Sequence, residues 1–124
     1  MKKLLLFAIL IPLAFLVSCS NGGFEVITPA EAKEMIDNNE DVIILDVREQ
    51  SEFDKEHIPD AVLLSLGDIE DRADDVIPDK TKTYLVYCRS GNRSNEASKI
   101  LVSLGYENVY DFGGIINWPY RTIK

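Results

Sequence analysis

Basic residues are scarce in this chain: 13 Lys and Arg stand against 21 Asp and Glu, for a net charge of −8. A nucleic-acid partner needs clustered cations that displace counterions from phosphate, so an acidic balance of this kind argues against DNA and RNA. Small anions are not excluded by it. Histidine occurs once, at His57, and cysteine twice, at Cys19 and Cys88; no metal or other cofactor is expected. Internal repeats and low-complexity stretches are lacking. Long apolar runs are lacking too, with one exception: fourteen of residues 1–18 are apolar. The hydrophobic content of 46% therefore mixes two regimes. Setting residues 1–18 aside removes Lys2 and Lys3, so 11 basic residues face 21 acids and the net charge becomes −10. What remains is 106 residues, enough for one core and too few for two.

Lys2-Lys3 followed by the run Leu4 to Val17 has the charged and apolar regions of a secretory signal. At 14 residues the run is short for a membrane span, which takes about 20 residues. Leu16-Val17-Ser18-Cys19 resembles the lipobox of bacterial lipoproteins. That resemblance implies cleavage before Cys19, lipidation of its thiol and acylation of the new amine. Several acyl chains on one residue anchor stably where one chain does not. The expectation is an exported domain held on a bacterial membrane, on its periplasmic or cell-surface side, by lipid alone, with residues 19–23 as lipidated cysteine and short tether. A lipidated Cys19 cannot form a disulfide, which leaves Cys88 as the single free thiol.

From residue 24 to 124 the pattern alternates strands and helices. Phe24 to Ile27 reads as a short strand. Thr28-Pro29-Ala30-Glu31 carries a capping box and an N1 proline, and starts a helix that runs to about Asp37. Val42 to Val47 is a continuous apolar run of strand length with β-branched bias, the pattern of a strand buried on both faces, as in a parallel sheet. Ser51 is expected to cap a short helix through Phe53 and Lys55. His57-Ile58-Pro59 turns the chain into a strand at Ala61 to Leu64, and the spacing of Leu66, Ile69, Ala73 and Ile77 is helical. Thr83 to Tyr87 is a third apolar strand that ends on Cys88. A helix over Ser94 to Leu104 closes at Gly105, a strand covers Val109 to Phe112, Gly113-Gly114 makes a sharp turn, and Ile115 to Trp118 a last helical turn. The expected fold class is α/β with a mainly parallel sheet.

Cys88-Arg89-Ser90-Gly91-Asn92-Arg93 joins a buried strand to a helix, the place where open α/β sheets bind ligands. A loop curling ahead of a helix turns backbone N–H groups inward, and the helix N-terminus adds partial positive charge. Gly91 permits the backbone twist. Two arginines flank this nest in an otherwise acidic chain. N–H donors, helix dipole and cations together favour a thiolate, so Cys88 is the expected nucleophile.

Several segments then carry a resemblance: Leu45-Asp46-Val47-Arg48-Glu49, Glu52-Phe53, Glu56-His57-Ile58-Pro59-Asp60-Ala61, Tyr87 through Ser94, Leu104-Gly105-Tyr106, and Gly113-Gly114-Ile115 with Trp118. In this order, over residues 24–124, they resemble the rhodanese (thiosulfate sulfurtransferase) domain family. The resemblance implies a rhodanese-like fold with a five-stranded parallel sheet and helices on both faces. It also implies a Cys88 persulfide, formed from thiosulfate or another sulfane-sulfur donor and discharged to cyanide or a cellular thiol. Arg89, Ser90, Gly91, Asn92, Arg93 and Ser94 would form the substrate-binding loop. Asp46 and Arg48, at the end of the buried strand, are expected to orient that loop through hydrogen bonds, and His57 belongs to a structural turn. Glu56 and Asp60 depart from the family pattern, standing where glycines are usual.

Two rival readings share Cys88. A cysteine phosphatase or arsenate reductase uses a similar nest but places its arginine six residues after the cysteine; here position 94 is Ser and Arg93 lies five after. The shorter ring suits a sulfur atom better than a tetrahedral phosphate. A tethered module that carries sulfane sulfur without turnover is the other.

Overall fold

A computed structural model describes residues 23–38 and 41–124. The signal-peptide reading of residues 1–18, Cys19 and most of the tether lie outside the described residues. Nine elements follow in order: β1 (Phe24–Val26), α1 (Pro29–Asn38), β2 (Val42–Asp46), α2 (Gln50–Lys55), β3 (Val62–Leu63), α3 (Ile69–Val76), β4 (Thr83–Cys88), α4 (Asn92–Ser103) and β5 (Asn108–Gly114). Single 3-10 turns at Leu66–Asp68 and Ile115–Asn117 precede α3 and follow β5. The strands form one five-stranded sheet in the order β1-β5-β4-β2-β3, with every pair parallel.

Alternation along the central strands divides the core in two. Leu45, Tyr84, Val86 and Cys88 face one side, where Ile69 and Ala73 of α3 and Ala97 and Leu101 of α4 cover them. Ile44, Leu85 and Tyr87 face the other side, packed with Ala32 of α1, Ile58, Phe112 and Trp118. Helices thus cover both faces. This explains why β2 and β4 read as apolar runs: from Ile44 and from Tyr84 onward, both faces of each strand are buried.

Helix α1 begins as its sequence predicts. Thr28 Oγ1 accepts the Glu31 N–H at 3.0 Å, and Glu31 Oε1 accepts the Thr28 N–H at 2.9 Å, so two otherwise unpaired donors are satisfied reciprocally. Elsewhere the local rules lose to context. The cap of α2 is Glu49, not Ser51, and the Glu49 N–H donates to Glu52 Oε2 at 3.0 Å. Strand β3 keeps only two residues, because its single neighbour β2 ends at Asp46. Helix α4 starts at Asn92, two residues before the expected Ser94, because Gly91 takes φ +109° and turns the chain into the helix at once. The Gly113-Gly114 pair is no sharp turn. β5 runs through it, and Gly114 pairs with Cys88 after a register shift between Val86 and Cys88.

The strand order creates a switch point. From β4 the chain passes through α4 to β5 on one side of the sheet, and from β2 it passes through α2 to β3 on the other. Ligands of open α/β sheets sit outside the strand C-termini at such a crevice. Here it is bounded by Val47-Arg48 after β2 and Cys88-Arg89 after β4.

Candidate functional site

Cys88 ends β4 almost fully buried and is a free thiol. The chain then folds back over its sulfur, and the Gly91 N–H points at Cys88 Sγ from 3.0 Å. Gly91 is also the N-cap of α4, so the first turn of that helix opens toward the sulfur. The Gly91 N–H and the opening of α4 thus both face the sulfur, the arrangement that suits an anion at a helix N-terminus. Among the described residues, no cluster of His, Cys, Asp and Glu is arranged to hold a metal ion.

The loop is held from behind by a pair that sequence reading missed in part. Ser94 is fully buried, and its hydroxyl donates to Asp111 Oδ1 at 2.7 Å, with the Gly91 carbonyl at 3.1 Å. Asp111 Oδ1 also accepts the Gly113 N–H at 3.0 Å. Ser94 therefore stands behind the Cys88 loop and ties α4 to β5 instead of facing the cleft. Asp111 had one sequence signal, an acid inside an otherwise apolar strand, where a buried charge implies a partner.

Asp46 and Arg48 form a second buried network, between the ends of β2 and β4 and the segment that follows β2. Both are buried, and the guanidinium grips the carboxylate with both arms, Nε to Oδ1 at 3.0 Å and Nη2 to Oδ2 at 2.8 Å. The Tyr87 hydroxyl donates to Asp46 Oδ2 at 2.6 Å and accepts the Ile58 N–H at 3.2 Å. Arg48 Nη2 also donates to the Glu56 carbonyl at 2.7 Å. Burial opposes the Arg48 charge, but the hydrogen bond and charge of Asp46 outweigh it, so its pKa rises. Burial pushes the Tyr87 phenol well up, and the Asp46 charge adds to the push. Tyr87 thus stays a hydrogen-bond donor, and the network joins the ends of β2 and β4 to the segment 48–58.

His57 sits in that segment as a fastener. Its Nδ1–H donates to the Phe53 carbonyl at 2.8 Å, its ring stacks on Phe53 with centroids 3.8 Å apart, and its backbone pairs with Ile123 in an antiparallel bridge. Its ring nitrogen is thus engaged by Phe53, whereas the Cys88 sulfur is met by Gly91. Asp60 takes φ +70°, the left-handed region in which glycine rests without strain. Asp is among the few other residues that visit this region. Glu56 is extended and its carboxylate accepts from Thr122 Oγ1 at 2.6 Å, so it fastens the C-terminal tail and does not strain the turn.

A cleft of about 320 Å³ opens beside the loop, lined by Arg48, Glu52, Lys55, Glu56, Arg89, Ile115 and Ile116. Arg89 is exposed and, like Lys55, forms no ion pair among the described residues. Arg93 is placed differently. Its Nη1 and Nη2 meet Glu52 Oε2 and Oε1 at 2.8 and 3.0 Å. The Arg93 hydrogen bond lowers the Glu52 pKa to about 2, and Glu52 in turn raises that of Arg93. The two loop arginines are therefore not equivalent: one is open to an anion and the other is already neutralised. Ser90, Gly91 and Asn92 line a separate groove on the far side of the loop, with Val26 and Ile27.

A buried cysteine held between a central parallel strand and a helix N-terminus, beside a cleft that Arg89 and Lys55 share with Glu52 and Glu56, defines an α/β protein with a cysteine loop at the sheet's C-terminal edge. Residues 28–119 match the model of the rhodanese-like domain, and the chain belongs to the rhodanese-like family. The thiosulfate sulfurtransferase PspE of Escherichia coli is 35% identical to it over 80 residues, 64% of this chain and 77% of that one. The thiosulfate sulfurtransferase GlpE of Coxiella burnetii is 34% identical over 96 residues, 77% of this chain and 87% of that one. Among solved structures, a rhodanese with anions from E. coli superposes with a TM-score of 0.63 at 31% identity, covering 67% of this chain and 98% of that one.

Proposed function

We propose that the protein is a sulfurtransferase that moves sulfane sulfur from thiosulfate, or a similar donor, to a thiophilic acceptor through a persulfide on Cys88. The observation that carries this reading is the position of Cys88 Sγ, 3.0 Å from the Gly91 N–H inside a loop that opens a helix. The sulfurtransferase relatives support it. In the first half-reaction the Cys88 thiolate attacks the outer sulfur of thiosulfate. The Sγ–S bond forms as the S–S bond of thiosulfate breaks, and sulfite leaves with the electron pair. Arg89 meets the anionic oxygens, and the inward N–H group and helix N-terminus stabilise the terminal sulfur of the persulfide. In the second half-reaction cyanide or a thiolate attacks that terminal sulfur, and Cys88 leaves as thiolate.

Mass spectrometry of the purified protein after thiosulfate treatment is expected to show a gain of one sulfur atom, lost again on adding cyanide. Cys88→Ala is expected to show no gain. An unmodified wild type, or an equal adduct on Cys88→Ala, would rule the mechanism out.

We also propose that this activity is exported and lipid-anchored through Cys19, on the strength of the segment Leu16-Val17-Ser18-Cys19 behind a basic and apolar leader. The wild type is expected in the detergent phase of a two-phase extraction and Cys19→Ser in the aqueous phase. Retention of residues 1–18 on a membrane-bound Cys19→Ser variant would show an uncleaved anchor instead.

A further inference from the structure

The cations around Cys88 are cancelled to unequal degrees. Arg48 is matched by Asp46, and Arg93 is matched by Glu52 through both arms of its guanidinium. Arg89 and Lys55 are left to face an anion in the cleft, with Glu56 opposing them. Unlike the buried Asp46–Arg48 pair, the Glu52–Arg93 pair is partly open: the Glu52 side chain is 28% exposed, and that of Arg93 is 32% exposed. Glu52 is nonetheless fixed, because Oε2 also accepts the Glu49 N–H at the first turn of α2. A carboxylate held at both ends in this way does not swing aside for an incoming donor. Arg93 stands two residues beyond Gly91, whose N–H meets the sulfur, so the neutralised arginine belongs to the same loop and first helical turn.

We propose that Glu52 is a specificity-determining residue: by neutralising Arg93 at the mouth of the Cys88 loop, it restrains the preference of the site for dianionic over monoanionic sulfur donors. The inference rests on the persulfide chemistry proposed for Cys88. Removing one negative charge from the cleft strengthens attraction to a dianion by twice the amount it strengthens attraction to a monoanion. The selectivity between two donors of different charge therefore moves, and not only the rate.

Glu52→Gln isolates this charge. Glutamine keeps an oxygen for the Glu49 N–H and for Arg93, so the cap of α2 survives the change. Persulfide formation on the full-length protein is followed with thiosulfate and with methanethiosulfonate, a monoanion that transfers the same sulfur and releases a sulfinate. Glu52→Gln is expected to raise the ratio of kcat/KM for thiosulfate over methanethiosulfonate about threefold at low ionic strength. That gain is expected to shrink as salt is added. Arg93→Gln, which leaves Glu52 uncompensated, is expected to lower the same ratio. Equal effects of Glu52→Gln on both donors, or none on either, would overturn the proposal, since a purely structural role moves both together. A wild type that forms no Cys88 persulfide with either donor removes the sulfurtransferase reading and this one with it. Normal wild-type transfer with an unmoved ratio removes the role of Glu52 alone.

Discussion

Asp46→Asn is expected to destabilise the protein by about 3–5 kcal/mol, measured by chemical denaturation, although it alters no volume and lies behind the reacting sulfur. The reason is what it leaves behind. Arg48 is 4% exposed, and its guanidinium is held by Asp46 and the Glu56 carbonyl. An asparagine keeps one acceptor but no charge, so a buried cation is left without its counter-ion. The companion experiment separates charge from shape. Asp46→Asn combined with Arg48→Met is expected to be more stable than Asp46→Asn alone, because no unpaired charge remains in the interior. The loss also reaches function through geometry. Asp46 and Tyr87 are register partners on β2 and β4, and their side chains tie the ends of both strands to Ile58 and to the segment bearing Glu52. An Asp46→Asn variant within about 1 kcal/mol of wild type would show that this network contributes little.

What was legible in the sequence was whatever the chain states locally. The run Thr83 to Arg93 announces strand, loop and helix within a dozen residues, so Cys88 and its nest were readable without coordinates. The α1 cap was readable for the same reason, Thr28 and Glu31 being three apart. The Asp46 and Arg48 pair, two apart at a strand end, was expected to orient the loop; its hydrogen bonds run instead within the pair and to Tyr87 and the Glu56 carbonyl. What escaped the sequence was set by partners far along the chain. Arg93 was read as part of the substrate-binding loop with no partner assigned, but Glu52, 41 residues earlier, is bound to it. Ser94 was placed in the substrate loop, but Asp111, 17 residues later, draws it behind. The Glu49 cap was passed over for Ser51 because serine caps more often than glutamate, although Glu49 and Glu52 carry the i, i+3 spacing of a capping box. Asp60 is an intermediate case: a departure from glycine was visible, and only the backbone angle shows that the turn still takes a glycine's conformation.

The second large effect is expected at Gly114, and its cause is space, not backbone freedom. Gly114 is extended, with φ −122° and ψ 149°, a conformation open to any residue. A Cβ built on it would lie 2.0 Å from the Arg89 carbonyl oxygen, 2.5 Å from its carbon and 2.6 Å from the Ser90 Cα. These are backbone atoms of the Cys88 loop, so no side-chain rotation relieves the clash. The loop approaches β5 this closely because Cys88 and Gly114 are register partners and the Arg89 carbonyl accepts the Ile116 N–H at 3.2 Å. Gly114→Ala must therefore push residues 89–90 outward, breaking that bond and shifting both the Arg89 side chain and the turn that aims the Gly91 N–H at the sulfur. The expected cost is about 3 kcal/mol in stability, at the upper end for a forced methyl group. Cys88 persulfide formation is expected to fall at least about tenfold, because a displacement of roughly 1 Å at a reacting centre commonly costs that and more. Gly67→Ala is the matched control: nothing lies within 4 Å of its added Cβ, and it is expected to stay within about 0.5 kcal/mol of wild type. If Gly114→Ala behaves like Gly67→Ala in both stability and persulfide formation, the loop is not seated against β5 in solution as described.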